Sequence, residues 1–458
     1  MPPAMEGQTD TMDIGGVRAD GPPGEVGLVT LYAPDPSAMP SAVVLPDRAL
    51  VLGRDPPPGA LPLPFNSVSR VHARVAVRGA EILVEDLESR NGTFVNGRSV
   101  QKAFVEQDDE IRVGEVVFKV VRDLASRFAA YPLEGVVPAA PFESLRGGLS
   151  METVRREIRR TASVDLSVLV SGETGTGKEL VARALHDASG RSGQLFAVNC
   201  AAIPSALLES ELFGYKRGAF TGADRDRVGL VKGAHGGTLF LDEIGDMPLD
   251  AQAKVLRMIE TKQVTPLGSH IAEPVDVRIV CATHRALPRL VKEERFRADL
   301  YARINGHTIY LPPLRDRKED LYQLTTLFLG RAGGSKLTLT PAFMIGLCSY
   351  DWPFNIRELD SAIKRAVSLA DSVLDESHLP ADASKGADDP RSPHEGASRD
   401  TEAGSSARGA APPEAALRAL LVLHQGNVAA VARQLTKDRV QIHRWMKRYG
   451  LEADEFRS

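Results

Sequence analysis

Residues Gly172–Lys178 read GETGTGK, shortly after the apolar run LSVLV at residues 166–170, and a helix-forming segment follows them. A strand, a glycine-rich turn and a helix in this order are typical of a P-loop, whose backbone N–H groups and helix N-terminus bind phosphate. Without a ligand, the same pattern would be a plain glycine-rich turn. The predicted ATP-binding residues of this loop are Gly172, Glu173, Thr174, Gly175, Thr176, Gly177, Lys178 and Glu179.

A second pattern, TLFLDE at residues 238–243, is an apolar run that ends in two carboxylates. Asp242 is expected to bind Mg²⁺, and Glu243 is expected to orient the attacking water. Acidic residues also occur in ordinary turns at strand ends, so the pair alone would be ambiguous. Together with the P-loop, it predicts an ATPase.

Phosphoryl transfer also needs positive charge near the departing phosphate. Arg297 and Arg303 lie in FRADLYARIN, residues 296–305. From their spacing alone they are either catalytic arginines that reach a neighbouring subunit or solvated helix arginines, and the spacing favours the second interpretation.

The sequence pattern changes along the 458 residues, a length that suits about three domains. Residues 26–122 contain short apolar runs between turn residues and predict an all-β sandwich. Residues 142–380 alternate strands and helices and predict an α/β P-loop ATPase with a helical lid. Residues 412–458 return to a helical period and predict an all-α helix-turn-helix domain. The other segments are expected to be a disordered N-terminus at 1–25, a linker at 123–141 and a disordered linker at 381–411.

Composition excludes several classes of protein. The three cysteines, Cys200, Cys281 and Cys348, form no CxxC pair, so neither a disulfide framework nor a zinc site is expected. No apolar run reaches about 18 residues, and the N-terminus lacks the apolar core of a signal peptide. The protein is therefore expected to be cytoplasmic, without a membrane partner.

The C-terminal segment predicts two helices joined by a short turn. Apolar residues from Val428 to Leu435 follow a helical period, and Asp438 can cap a second helix at residues 439–449. The second helix would present a basic face to double-stranded DNA, although a basic face of this kind can also be merely solvated. The predicted base contacts are Arg439, Val440, Gln441 and Arg444, and the predicted phosphate contacts are Lys447 and Arg448.

Seven segments between residues 142 and 380 resemble the central domain of sigma-54-dependent activators, the bacterial enhancer-binding proteins of the AAA+ class. They read GETGTGKE, NCAAI, ELFGYKRGAFTGA, GGTLFLDEIGDMP, FRADLYARIN, LPPLRDRKEDL and WPFNIREL. The resemblance implies a hexameric ring that uses ATP and Mg²⁺ to remodel the sigma-54 RNA polymerase closed complex. It also implies that a glutamate directly after the P-loop lysine, here Glu179, is usual for this family.

Carried over by position, the resemblance implies that Asn199 senses the nucleotide by contacting Glu243 and that Thr283 is the first sensor. Arg357 would be the second sensor, and Arg297 and Arg303 would act on a neighbouring subunit. The segment GAFTGA would contact sigma-54 through Gly218, Ala219, Phe220, Thr221, Gly222 and Ala223.

Three departures from the family pattern bear on these roles. Val231 and Lys232 replace the usual Phe-Glu pair, Ala302 replaces a usual Tyr, and Phe354 replaces a usual Gly. Lys232 reverses a charge between the GAFTGA loop and Asp242, which puts the coupling of hydrolysis to that loop in question.

Within the β-rich N-terminal region, Gly53-Arg54, SRVHA from Ser69 and DLESRNGTFVNG from Asp86 resemble a forkhead-associated (FHA) domain. The resemblance implies a phosphothreonine partner, such as a serine/threonine kinase or its substrate, while a sandwich without a ligand is the alternative. The implied peptide-binding residues are Arg54, Ser69, Arg70, Arg90 and Asn91, with His72 and Gly92 bracing the loops.

The C-terminal segment resembles the Fis-type DNA-binding end of the same activators. The sequence therefore predicts an ATPase that binds upstream DNA, recognises a phosphothreonine and activates sigma-54-dependent transcription. Two alternatives remain open: an AAA+ chaperone that remodels other proteins, and a phosphopeptide-responsive DNA-binding regulator without productive ATPase activity.

Overall fold

The structure, a computed structural model, describes residues 25–380 apart from residue 80, residues 414–424, and the single positions 431, 446 and 451. The chain divides into two compact units, Met1–Arg391 and Ser392–Ser458. The predicted DNA-contacting residues between 439 and 448 lie outside the described residues, as do residues 1–24 of the expected N-terminal segment 1–25 and the whole of the second linker, 381–411.

The N-terminal domain is a sandwich of two sheets, with strand orders β2-β1-β11-β10-β7-β8 and β4-β3-β5-β6-β9. Its core contains Leu52, Ile82, Ile111 and Phe118, all fully buried. The prediction of an all-β domain is therefore confirmed. The strands β1 to β11 are, in order, Gly27–Tyr32, Ala42–Val44, Leu50–Gly53, Leu61–Pro62, Ala73–Arg78, Glu81–Asp86, Thr93–Val95, Arg98–Val100, Lys102–Val105, Glu110–Val113 and Val116–Val121.

Strand β11 of the sandwich is covered on both faces. All six residues of β11 are buried, although a sandwich strand exposed on one face would alternate. Val116, Phe118 and Val120 face the sandwich core, whereas Val117 packs with the helical lid of the ATPase. The sandwich is thus packed against the ATPase domain.

The ATPase domain contains a parallel five-stranded sheet, ordered β13-β16-β19-β12-β20, with helices between the strands, as the alternating pattern predicts. Strands β12 to β20 are Val168–Ser171, Leu195–Asn199, Gly214–Tyr215, Arg227–Val228, Thr238–Asp242, Gln263–Val264, Glu273–Pro274, Arg278–Thr283 and His307–Tyr310. Helices α1 to α8 are Ala125–Phe128, Leu149–Ala162, Lys178–Asp187, Ser205–Phe213, Leu230–Gly233, Leu249–Thr261, Leu287–Lys292 and Ala298–Ile304.

The lid follows the sheet and is mainly helical. A 3₁₀ segment, Leu314–Asp320, leads into helices α9, α10 and α11, and the fully buried Trp352 anchors their core by donating its indole N–H to Leu347 O at 3.0 Å. The bounds are Leu321–Arg331 for α9, Pro341–Ser349 for α10 and Asn355–Leu369 for α11, with short strands β21 at Thr338–Leu339 and β22 at Val373–Leu374.

The second unit contributes one described helix, α12, at Glu414–Leu423. Leu417 and Leu421 are both buried on it, one helical turn apart. Within the described part of the chain, no helix is long and apolar enough to cross a membrane.

Replacing Phe118 by Ala should lower the free energy of unfolding by about 3–5 kcal/mol, because a fully buried aromatic ring leaves a cavity that the core cannot refill. Urea denaturation followed by circular dichroism measures this loss. Phe104→Ala is the matched control, since Phe104 lies on the same domain but is 62% exposed. Equal losses in the two variants would contradict the assigned core.

Candidate functional site

The central sheet brings the predicted catalytic residues to one edge. Asn199 pairs in register with Asp242 across β13 and β16, and Ser171 pairs with Thr283 across β12 and β19. Because all these strands are parallel, their carboxyl ends meet at the edge where the P-loop begins, which is where ligands bind in open α/β sheets.

The P-loop connects β12 to α3. Gly175 and Gly177 have φ values of 80° and 101°, which favour glycine. Gly177 caps α3 without a side-chain hydrogen bond, so the first N–H groups of that helix are left for an anion. The ammonium of Lys178 is nearly buried, donates to Gly172 O at 3.0 Å and to Glu173 O at 3.1 Å, and lies 3.7 Å from Glu243 Oε1. The Lys178 ammonium is therefore held within the loop in which it is expected to bind phosphate.

Two residues on the lid side of the P-loop, which the sequence analysis did not single out, form hydrogen bonds to it. Arg315 donates to both carboxylate oxygens of Glu173, at 2.5 and 2.9 Å. The buried Asn355 donates to Glu173 Oε2 at 3.2 Å and to Thr174 O at 3.0 Å. Both residues lie in the quoted motifs LPPLRDR and WPFN, but only the fold reveals that their partner is the loop.

The carboxylates Asp242 and Glu243 have different partners. Asn199 Nδ2 donates to Asp242 Oδ2 at 3.0 Å, not to Glu243 as the family resemblance implied. Glu243 Oε2 instead lies 2.7 Å from His284 Nδ1 and accepts from the His284 backbone N–H at 3.3 Å. The predicted sensor Thr283 is buried, and its hydroxyl accepts from Arg285 N at 3.0 Å. His284 therefore replaces Asn199 as the partner of Glu243 in this structure.

The surroundings of Asp242 shift the pKa of its carboxyl group. Burial raises the pKa of Asp242, and the neighbouring Glu243 charge raises it further. Glu243 also has a φ of 51°, a left-handed conformation that costs energy in a residue with a side chain. Backbone strain of this kind is concentrated at functional sites.

A cavity of about 430 Å³ opens beside the P-loop, between the start of α2 and the lid. Its polar end contains Thr176, Gly177 and the predicted second sensor Arg357, and its apolar wall includes Leu180 and Phe328. A volume of this size, with an anion-binding end and an apolar wall, suits a nucleotide base next to its phosphates.

The predicted trans-acting arginines do not contact the P-loop of their own chain. Arg297 is exposed and pairs with Asp299 at 2.7 Å, and Arg303 is exposed in the last turn of α8. Among the described residues, neither forms a hydrogen bond or ion pair with the P-loop. Their exposure leaves them available to another subunit.

The GAFTGA loop is the tip of a two-stranded ribbon formed by β14 and β15. Gly218 and Gly222 have φ values of 83° and 94°, and an added Cβ at either position would meet no atom within 4 Å. Phe220 is 43% exposed and packs edge-on against Tyr215 with 5.0 Å between ring centroids. The loop therefore presents Phe220 and the exposed Thr221 on an open surface.

The structure places each residue that departs from the family pattern in a defined environment. Val231 is fully buried in the core beneath the sheet, and Lys232 forms an ion pair with Glu273 on β18. Phe354 has a φ of −107°, which does not require glycine, and its ring is 59% exposed. Ala302 borders a cavity of about 270 Å³ near the end of α8.

The predicted peptide-binding residues of the sandwich converge at one end, on three loops. Arg54 N donates to Ser69 O at 2.9 Å, and Ser69 Oγ accepts from Arg90 N at 3.0 Å. Asn91 Nδ2 donates to Ser67 O at 2.7 Å. Three exposed arginines, Arg54, Arg70 and Arg90, therefore lie on the loops that carry or contact Ser69.

His72 braces these loops from the interior. It is fully buried, and burial lowers its pKa, so the ring is neutral near pH 7. Its Nδ1 accepts from Ser69 N at 3.1 Å, which leaves the proton on Nε2 to donate to Gly92 O at 3.1 Å. A single neutral tautomer satisfies both bonds.

Three parts of the chain match known domain families. Residues 147–310 match the Sigma-54 interaction domain, and residues 315–396 match the AAA+ ATPase lid domain. This chain carries a sigma-54 interaction domain. Residues 50–114 match the FHA domain, so the predicted order of an FHA-type sandwich, an α/β AAA+ domain and a lid is confirmed.

Bacterial regulatory proteins are among its relatives. The acetoin catabolism regulatory protein of Cupriavidus necator is 40% identical over 81% of this chain and 55% of its own length. The transcriptional regulatory protein GlrR of Escherichia coli is 40% identical over 66% of each chain. The chain thus spans 55% and 66% of these two relatives. A solved structure of NtrX from Brucella abortus in complex with ATP is 30% identical over 66% of this chain and 68% of its own, with a TM-score of 0.48.

Replacing Gly175 by Ala should weaken nucleotide binding by about tenfold or more, a loss of about 1.4 kcal/mol. The added Cβ would lie 2.1 Å from Phe354 O and would push the lid away from the P-loop. Calorimetric titration with ADP measures the effect. Gly190→Ala is the control, because Gly190 has a similar φ of 72° with no atom within 4 Å of the new Cβ. An unchanged affinity for ADP in Gly175→Ala would contradict this arrangement of loop and lid.

Proposed function

We propose that this chain is a transcriptional activator that uses ATP hydrolysis to remodel the sigma-54 RNA polymerase closed complex. The observation that carries the proposal is the sigma-54 interaction domain, with an exposed GAFTGA ribbon joined through the chain to the strand that ends in Asp242 and Glu243. The same chain would bind upstream DNA and respond to a phosphothreonine partner.

The nucleotide would bind with its phosphates on the P-loop and its base in the cavity beside the lid. The N–H groups at the start of α3 and the ammonium of Lys178 face the phosphates, and Arg357 reaches the same cavity from α11. Arg357 N also donates to Gly175 O at 3.3 Å, so the lid is tied to the loop that holds the phosphates. A change in phosphate occupancy can therefore change the position of the lid.

A magnesium ion suits the donor groups at the strand ends. Mg²⁺ prefers carboxylate, phosphate and water oxygens, and Asp242 supplies a carboxylate at the edge where the phosphates would lie. Bound there, the ion would neutralise charge on the phosphates. Because burial raises the pKa of Asp242, its capacity to bind a cation should fall with decreasing pH sooner than that of an ordinary aspartate.

Glu243 would orient and deprotonate the attacking water. His284 fixes its carboxylate from one side, and Lys178 lies 3.7 Å from its other oxygen. Asn199 holds the adjacent Asp242, so the two carboxylates keep separate orientations. The exposed Arg297 and Arg303 would complete the site of a neighbouring subunit in a hexameric ring, where they would stabilise charge on the departing phosphate.

Force would pass to sigma-54 through Phe220 and Thr221. The ribbon also bonds to the β17–β18 loop, with Lys216 N donating to Leu267 O and Leu267 N donating to Gly214 O, each at 2.9 Å. The Lys232–Glu273 pair ties the segment after the ribbon to β18. The reversed charge at Lys232 thus has a partner, Glu273, close to the ribbon. This ion pair supports the proposal that ATP hydrolysis is coupled to movement of the GAFTGA loop.

The sandwich would bind a phosphothreonine with Arg54, Ser69 and Arg70, and the adjoining peptide backbone with Arg90 and Asn91. A phosphate monoester carries about −1.5 to −2 charges, and several guanidinium groups beside a hydroxyl suit it. The C-terminal residues Arg439, Val440, Gln441, Arg444, Lys447 and Arg448 are proposed to contact DNA on the strength of their sequence pattern, and the protein is proposed to act in the cytoplasm.

Replacing Glu243 by Gln should reduce ATP turnover by about 10²–10⁴-fold, because the amide cannot accept the proton of the attacking water. Nucleotide binding should persist, since the P-loop contacts are untouched. Steady-state phosphate release and ADP titration measure the two effects. Glu260→Gln, at an exposed position on α6, is the control. Undiminished turnover in Glu243→Gln would refute the catalytic assignment.

Replacing Thr221 by Ala should abolish open-complex formation at a sigma-54 promoter while ATP turnover stays near the wild-type rate. The reason is that Thr221 lies on the exposed tip of the ribbon and not at the P-loop. Purified full-length protein, sigma-54 RNA polymerase and promoter DNA provide the assay, with Thr338→Ala in the lid as the control. If Thr221→Ala activated transcription normally, the chaperone alternative would gain over the proposed activator.

A further inference from the structure

The 3₁₀ segment Leu314–Asp320, here called the bridging segment, lies between the central sheet and α9. It is kinked at Arg317, whose φ of −131° and ψ of 47° depart from helical values. The kink turns neighbouring side chains in different directions. As a result, one short segment contacts both the P-loop and the sandwich.

On one side, the bridging segment holds the P-loop. Arg315 pairs with Glu173, and the buried Arg317 donates to Thr176 O at 3.3 Å. Leu314 N donates to Asn355 Oδ1 at 2.7 Å, and Asn355 in turn bonds to Glu173. The P-loop is therefore connected to this segment through the side chain of Glu173 and the backbone carbonyl of Thr176.

On the other side, the bridging segment meets the sandwich through two crossed ion pairs. Lys119 Nζ on β11 lies 2.6 Å from Glu319 Oε2 and donates to Asp316 O at 3.3 Å. Lys318 Nζ lies 2.5 Å from Glu110 Oε1 on β10. Each domain supplies one lysine and one carboxylate, and the four side chains are between 3% and 11% exposed.

Apolar contacts surround these charges. Leu31, Tyr32 and Val117 of the sandwich belong to the same buried cluster as Leu314 and Leu321. Breaking a buried ion pair by removing one partner leaves an uncompensated charge away from water, which strongly disfavours the docked arrangement. Sliding the sandwich would separate both pairs at once, so the contact has one well-defined geometry.

Burial alone would lower the pKa of Lys119, but the Glu319 charge raises it, and the ammonium stays protonated. Burial raises the pKa of Glu110, while Lys318 acts in the opposite direction. Lys119, which is also the less exposed of the two lysines, is therefore the better target for a test.

We propose that Lys119 and Glu110 of the sandwich are positioning residues for the nucleotide site. They hold Asp316, Lys318 and Glu319 of the bridging segment, whose arginines hold the P-loop. The sandwich is thus a structural part of the ATP-binding half of the molecule. This inference rests on the proposed binding of nucleotide by the P-loop.

The test compares full-length wild type with Lys119→Met, which removes the charge and keeps most of the apolar length of the side chain. The Kd for ADP, measured by calorimetry, should rise by about fivefold or more, the lower range of coupling between sites. Lys119→Arg, which keeps the charge, should recover most of the affinity. Lys102→Met, at an exposed position of β9, is the matched control and should bind ADP like the wild type.

A double-mutant cycle adds a second readout. If Lys119 acts through Glu319, the combined variant Lys119→Met with Glu319→Gln should weaken ADP binding by less than the two single effects together. Should Lys119→Met fail to fold, Glu110→Gln tests the same inference, because it removes one charge without changing shape. Its Kd for ADP should rise in the same direction.

The outcomes distinguish a failure of the proposed nucleotide binding from a failure of the positioning role. A wild type that binds no ADP would overturn the proposed function itself. A wild type that binds ADP, with folded Lys119→Met or Glu110→Gln variants of unchanged Kd, would overturn only the positioning role. In that case the ion pairs would merely stabilise the docked domain, and their removal would lower the thermal midpoint by a similar amount with and without ADP.

Discussion

The rest of this structure depends on the contacts made by the carboxylate of Glu173, near the start of the P-loop. Arg315 approaches it from the segment that follows the central sheet, and Asn355 approaches it from the start of the last lid helix. A P-loop needs a fixed backbone, because its N–H groups must all point towards the phosphates. Here that backbone is fixed by residues that lie some 140 and 180 positions further along the chain, so the lid and the phosphate site form one assembly.

The N-terminal sandwich is also connected to the P-loop, through the segment that carries Arg315. The loops that carry Arg54, Ser69 and Arg90 lie at one end of the sandwich, while β10 and β11 use their outer face to meet the ATPase domain. The loops proposed to bind phosphothreonine and the surface that meets the ATPase domain therefore lie on different parts of one small domain. Because the docking surface contains buried charges of both signs, it discriminates between the native orientation and displaced ones more sharply than an apolar surface would.

Local patterns predicted much of this arrangement. The P-loop, the strand ending in Asp242 and Glu243, and the ribbon bounded by Gly218 and Gly222 are short segments whose backbone conformations follow from their own residues. The partner of Glu243 could not be predicted in this way. The family resemblance pointed to Asn199, yet the strand register aligns Asn199 with Asp242. His284, which directly follows the neighbouring strand β19, contacts Glu243 instead. Which of two adjacent carboxylates meets which neighbour depends on the left-handed turn at Glu243, a feature without a sequence signature.

The sequence by itself therefore determined the fold classes of the sandwich and of the α/β domain, their order and the position of their short motifs, because periodicity, glycine placement and motif spacing are local properties of the chain. Only the tertiary structure decided which distant groups meet. The apolar run of β11, interrupted only by Lys119, is typical in sequence of an ordinary buried strand with one misplaced charge. In the folded protein that lysine meets Glu319, 200 residues away. The physical reason is that a buried charge is tolerated only where packing supplies its partner, and packing between domains cannot be inferred from the pattern of either domain alone.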